Sequence, residues 1–281
     1  MRKLAALAAL ALLATPAVAQ NPFAAKGDPV AIGRSYEVAS RRLGDLRRIN
    51  VMLPPGYDAP ENRGRRYPVL YLLDGGAAQQ DFFPIAGLAH QGSLRGISAP
   101  FILVGIESKD RRRELTPPSS DPRERKDFPT HGRADAFRDF LVDELKPRVD
   151  DAYRTDGTDT LMGEALAGLF VVETALRRGQ AFDRYVAVSP SLSWDQERLS
   201  REAPRLLAAS APAPRILWLT MGSEGGATQR AMDRLVAALR ANTPGGMRWT
   251  YAPMPGEAPN TIYHPAATRA IRTLFPPSAV R

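Results

Sequence analysis

The sequence predicts an α/β protein, a mostly parallel central sheet with helices on both faces. Three observations predict it. Short apolar runs alternate with helix-length amphipathic stretches over most of the 281 residues, which is the pattern of repeated α-β units. Two of the runs, Tyr67 to Leu73 and Pro100 to Ile106, are apolar almost throughout, as strands covered on both faces must be. Between residues 134 and 153, Phe137, Phe140, Leu141, Leu145 and Val149 fall at helical spacing, with Asp and Arg opposite.

Residues 34–276 are expected to form this domain, after a loose lead at 20–33 and before a short tail at 277–281. Ser35 to Ser40 and Leu46 to Leu53 read as the first strands, the second alternating apolar and polar residues until Pro54-Pro55-Gly56 stops it. Asp74-Gly75-Gly76 ends the strand at 67–73, and Phe82 to Leu94 follows as a helix. Ser108 to Gly132 reads as one long loop, rich in charge and carrying Pro117, Pro118, Pro122 and Pro129; loops of that length in a compact domain cover a site or stay disordered. Later strands are expected at Leu161-Met162, Tyr185 to Val188, Arg215 to Met221 and Met247 to Ala252. Helices are expected up to Arg178, then over 196–209, 228–241 and 265–274. The stretch between Val188 and Arg215 is too short for a separate cap domain. Ligands of such sheets bind at the carboxyl ends of the strands, where the loops after Leu73, Ile106, Met162 and Met221 meet.

The first nineteen residues read as an export signal. Arg2 and Lys3 precede an apolar stretch from Leu4 to Leu13, and Ala17-Val18-Ala19 matches a small-residue cleavage site. The stretch is too short to span a membrane. The expected location is therefore periplasmic or secreted. The chain has no Cys, which excludes disulfides and cysteine-linked lipid. The formal charge of +8 falls by two when Arg2 and Lys3 leave. Arg is spread along the chain without interleaved aromatics, so nucleic-acid binding is not expected. The three His, at 90, 131 and 264, are far apart in sequence and lack ligand spacing; no metal or other cofactor is expected.

One segment carries the chemistry. Gly163-Glu164-Ala165-Leu166-Ala167-Gly168 follows the apolar Thr160-Leu161-Met162 and opens an apolar helix. Strand, sharp turn and helix make a nucleophile elbow, whose pattern is G-x-S-x-G. The small residues stand where the turn needs them, but the tip is Ala165. A methyl group has neither a lone pair nor a proton to give and cannot attack a carbonyl carbon.

Further pieces give the chain an identity at the family level. Leu53-Pro54-Pro55-Gly56-Tyr57, Tyr67-Pro68-Val69-Leu70-Tyr71-Leu72-Leu73-Asp74-Gly75, Asp110 with Arg113 to Pro117, the helix Ala134 to Tyr153 and Ser189-Pro190-Ser191-Leu192-Ser193-Trp194-Asp195 occur in one order and spacing. Together they resemble the esterase family of α/β-hydrolases that includes siderophore esterases, S-formylglutathione hydrolases and feruloyl esterases. The resemblance runs from about Tyr36 to Phe275 and implies the α/β-hydrolase fold. It places the nucleophile on Ala165, the acid on Glu224 and the base on Pro259, within Glu257-Ala258-Pro259. Two of the three triad positions thus lack the required chemistry. It also implies an oxyanion hole from the Leu166 N–H and one N–H of the Gly75-Gly76-Ala77 turn, with Glu164 and Trp194 lining the pocket.

The expectation is a pseudoenzyme that holds a small ester-like or glycan-like ligand, or a protein partner. The competing expectation is an active carboxylic-ester hydrolase whose rearranged site uses His131 or His264.

Overall fold

A computed structural model describes residues 28–78 and 80–277. The expected signal segment, most of the lead, and residues 278–281 of the tail lie outside the described residues. Residues 28–31 are exposed and irregular.

From Ile32 onward, eight strands form one sheet among the described residues. In chain order they are β1 (Arg34–Ser40), β2 (Asp45–Met52), β3 (Tyr67–Leu73), β4 (Ile102–Ile106), β5 (Thr155–Glu164), β6 (Arg184–Val188), β7 (Arg215–Thr220) and β8 (Met247–Tyr251). Their spatial order is β1-β2-β4-β3-β5-β6-β7-β8. β1 pairs with β2, and β2 with β4, antiparallel; the remaining pairs are parallel. This is the α/β-hydrolase fold, and β6 and β7 are joined by a single helix without a large cap.

The alternation of side chains along each strand builds two cores. Val69, Tyr71 and Leu73 of β3, with Leu161, Tyr185, Ala187, Leu217 and Leu219, face one side. The helices α4 (Ala134–Asp139), α6 (Leu166–Arg177), α7 (Trp194–Ala208) and α8 (Gly226–Asn242) cover it. Leu70 and Leu72, with Leu103, Met162, Val186, Val188 and Trp218, face the other. There α1 (Phe82–Leu94) and α9 (Tyr263–Leu274) complete the layer. A residue of β3 therefore meets helices whichever way it points, which is why that strand carries no polar alternation. No helix among the described residues is long and apolar enough to cross a membrane.

Three expectations about elements need correction. The stretch 108–132 is not one loop: it holds α2 (Arg111–Leu115) and α3 (Pro122–Asp127). Both are started by Asp caps, Asp110 accepting from the N–H of Arg112 and Arg113, and Asp121 from that of Arg123. The helix expected over 134–153 is not uniform. It widens to a π turn over Phe140–Leu145 before α5 (Lys146–Ala152), where Pro147 has no N–H for the i−4 carbonyl. β5 begins at Thr155, five residues before the apolar run, because its polar first half is held by pairing of Thr155 and Asp159 with β3 and by side-chain contacts, among them the Thr155 hydroxyl on Asp150 and Lys146 on Asp159.

Candidate functional site

The site lies at the carboxyl ends of the parallel strands, and the elbow is its centre. β5 ends at Glu164, α6 begins at Leu166, and Ala165 alone makes the bend, with φ 53° and ψ −114°. That conformation is ordinarily reserved for glycine. The packing enforces it. The Ala165 N–H donates to the Val188 carbonyl at 3.0 Å, and its own carbonyl accepts from Leu169 and Ser191, both at 2.9 Å. A Cβ on Gly163 would stand 2.6 Å from that of Ala167, and one on Gly168 would stand 2.9 Å from the Val188 oxygen. The backbone of a nucleophile elbow is thus complete, and a half-exposed methyl stands at its tip.

Glu224 follows β7. Both of its carboxylate oxygens are buried and neither has a hydrogen-bond partner among the described residues. The loop that carries Pro259 is tied to the loop that carries Glu224: the Ser223 N–H donates to the Glu257 carbonyl at 2.9 Å, and the Met254 N–H to that of Met221 at 2.8 Å. The fold therefore sets the Glu224 loop beside the loop after β8, but Pro259 lies in an exposed turn and brings no N–H to the carboxylate.

The proposed oxyanion donors differ in availability. The Gly75 N–H is held by the Ile106 carbonyl at 2.8 Å, and the Gly76 N–H by the Gln80 Oε1 at 2.9 Å. Gly75 is needed for close approach, since a Cβ there would sit 2.4 Å from the Gly105 Cα. Among the described residues, the Ala77 N–H has no acceptor. The Leu166 N–H heads α6 and has no intrahelical acceptor.

Around the elbow stands a ring of carboxylates that sequence reasoning did not assemble. Asp74 closes β3 and pairs with Arg111 of α2 at 2.9 Å. Asp81 precedes α1, donates its N–H to the Asp74 carbonyl at 3.0 Å, and lies 3.9 Å from the His264 Nε2. Burial pushes the Glu164 carboxyl up to about 7; the charges of Asp81, Asp74 and Glu224 add to this, and Arg111 opposes it. The sequence signal for this ring was present: each acidic residue except Asp81 follows or ends a parallel strand.

Trp194 donates its indole N–H to the Pro117 carbonyl at 3.1 Å and packs against Phe128 and His131. It lines a cavity of about 360 Å³ with Pro117, Pro118, Leu169 and Leu199. His131 accepts from the Ser119 N–H at 3.3 Å. His264 is largely exposed and faces Asp81. The histidine contacts described therefore lead to Ser119, Trp194 and Asp81.

A family model described as "Putative esterase" matches residues 40–253. Among curated proteins, the chain is 32% identical to the ferri-bacillibactin esterase BesA of Bacillus subtilis over 46% of this chain and 50% of that one. It is 27% identical to a siderophore enterobactin esterase of Emericella nidulans over 67% and 68%. The match spans about half the length of the first of these relatives. Among solved structures, an IroE-like serine hydrolase from Shewanella oneidensis superposes with a TM-score of 0.76 at 25% identity, covering 86% of this chain and 80% of that one.

Proposed function

The chain belongs to the "Putative esterase" family, and from that premise we propose that it is an exported pseudoenzyme that binds a ligand in a disarmed esterase site. The observation that carries this reading is Ala165, a methyl at the tip of an otherwise complete elbow. The unpartnered Glu224 carboxylate beside a loop that carries Pro259 in place of a base supports it. Loss of a triad Ser or His lowers turnover by about 10⁶, and further losses add little. From a typical turnover of about 10 s⁻¹, about 10⁻⁵ s⁻¹ would remain, supported by the oxyanion hole and binding. His131 is engaged by the Ser119 N–H and Trp194, and His264 by Asp81 at 3.9 Å; neither contact pairs a histidine with a hydroxyl nucleophile.

Export rests on Arg2, Lys3, the apolar run Leu4 to Leu13 and the site after Ala19. The relatives' names point to siderophore esters as the ancestral ligand class, and a small ester-like molecule is the first ligand to try. The test is short-chain aryl ester hydrolysis by the mature chain beside the Ala165→Ser/Pro259→His double variant. A silent wild type and an active variant are expected. Wild-type turnover near 10 s⁻¹, with Ala165 in place, would refute the reading.

A further inference from the structure

At the end of the sheet opposite the elbow, a buried cation stands without a counter-ion among the described residues. Arg215 opens β7 and is 3% exposed. Its guanidinium donates to the Ser210 hydroxyl at 2.6 Å and, weakly, to the Ala211 carbonyl at 3.5 Å. Neither partner is charged, and the Nε–H has no acceptor among the described residues. Burial lowers the Arg215 pKa, and the group that opposes this is the Tyr185 phenol rather than a carboxylate. A buried charge without an opposite charge is strongly unfavourable, so this position calls for a partner.

A cavity of about 590 Å³ adjoins this guanidinium. Arg215 lines it together with both of its hydrogen-bonding partners, Ser210 and Ala211, and with Gly179. Val142, Leu176 and Leu206 add apolar wall. A Cβ on Gly179 would stand 2.8 Å from the Arg215 Nε and 2.9 Å from its Cζ, so the missing side chain is what admits the guanidinium. The Nε–H is shut against Gly179, but each η nitrogen keeps a second N–H without an acceptor among the described residues. The other guanidinium groups at this cavity are matched: Arg178 pairs with Asp139, and Arg177 with Glu173 and Glu202. α6 and α7 end here, at Arg177 and Ala208. Helix C-terminal ends carry partial negative charge, which offsets part of the Arg215 charge and limits how much more negative charge the cavity accepts.

We propose that this cavity binds a small monocarboxylate with an apolar body, the carboxylate accepting from the open η N–H groups of Arg215 and the body resting on Val142, Leu176 and Leu206. One carboxylate neutralises Arg215 and takes a pair of N–H bonds, the arrangement in which a guanidinium recognises it best. A phosphate dianion would leave net negative charge against the two helix ends. A neutral amide would leave the buried charge unmatched. The site stands apart from the disarmed one. α6 has 12 residues, so the elbow at its start and this cavity at its end are about 18 Å apart.

The experiment is a titration of the full chain with fluorobenzoate, followed by fluorine NMR, beside fluorobenzamide and fluorophenyl phosphate. Saturable binding of the carboxylate is expected. The amide should bind about tenfold more weakly, the lower end for a hydrogen bond to a charged group, and the phosphate no more tightly than the carboxylate. Arg215→Met keeps the apolar stem, removes the charge and should weaken fluorobenzoate binding about tenfold. Ala209→Trp fills the cavity from an exposed position and should weaken it as much, so a folding defect of Arg215→Met leaves the test intact. Circular dichroism checks that each variant is folded. Absence of saturable binding by the wild type, binding unchanged in Ala209→Trp, or an amide or phosphate bound as tightly as or more tightly than the carboxylate, respectively, would overturn the proposal. The first of these results is what an Arg215 that merely ties α7 to β7 predicts. Aryl ester hydrolysis reads the elbow and not this cavity, so this proposal and the pseudoenzyme reading fail separately.

Discussion

Replacing Ala165 with glycine should stabilise this protein, although most substitutions at a site destabilise. Ala165 has φ 53° and ψ −114°, a region that charges a residue with a Cβ about 1–3 kcal/mol. Glycine removes that strain. It also gives the unfolded chain more freedom, which works against the variant by about 0.4–1 kcal/mol. The methyl is only half-buried, so little apolar contact is lost. The difference is about 1 kcal/mol in favour of Ala165→Gly, or a rise in Tm of about 2–4 °C for a chain of this size. Thermal unfolding followed by far-UV circular dichroism, with a urea titration beside it, reads the effect. A Tm lowered by more than about 2 °C would refute the reasoning, showing that the bend is relaxed or that the methyl is firmly packed. Gly163→Ala is the reciprocal control. Its Cβ would stand 2.6 Å from that of Ala167, and overpacking of that kind destabilises by about 1–3 kcal/mol.

Three more outcomes are expected. Glu114→Ala should destabilise by about 3 kcal/mol, the lower end for breaking a buried pair, because the buried Arg47 loses its two 2.8 Å bonds to that carboxylate and is left, among the described residues, with Asp45 at 3.3 Å and the Glu107 carbonyl at 3.1 Å. The Arg47→Met/Glu114→Leu pair should recover most of the loss in urea unfolding, and a loss under 1 kcal/mol for Glu114→Ala would contradict the buried pair. The folded-state pKa of Glu164 is raised to about 7 from 4.5, so the folded chain binds more protons than the unfolded one between those values. Stability from this group is full below about pH 4.5 and is lost as pH rises through 7; Glu164→Gln should flatten that part of the pH–stability curve, and an unchanged slope would contradict the shift. Mass spectrometry of the protein from an expressing bacterium should show a chain beginning at Gln20, and an uncut chain confined to the cytoplasm would remove the export reading.

Much of the fold was legible because burial imposes a period. β3 and β4 show as apolar runs since helices cover both of their faces, and the elbow shows because steric contacts at Gly163 and Gly168 admit only small residues. The helices capped by Asp110 and Asp121 were missed when 108–132 was read as one loop, because the prolines and charges around them masked two short helices. The start of α7 had no such signal. Asp195, Gln196 and Glu197 all have positive φ without a glycine among them. They are held by tertiary bonds, from the Asp195 N–H to Glu124 and from Ser120 to the Asp195 carboxylate. The candidate site divides the same way. Ala165, Glu224 and Pro259 are assigned by order along the chain alone. The occupied N–H of Gly76, held by Gln80, and the Asp74–Arg111 and Asp81–His264 contacts depend on which loops the sheet brings together.

The most direct measurement is the steady-state rate of aryl ester hydrolysis by highly purified wild-type chain, paired with a fluorophosphonate label that reports any activated serine. An inert tip at Ala165 predicts about 10⁻⁵ s⁻¹ and no label. Turnover of 1 s⁻¹ or so, on the scale of ordinary enzymes, with a labelled serine mapped to the pocket would show that this site still performs acyl chemistry.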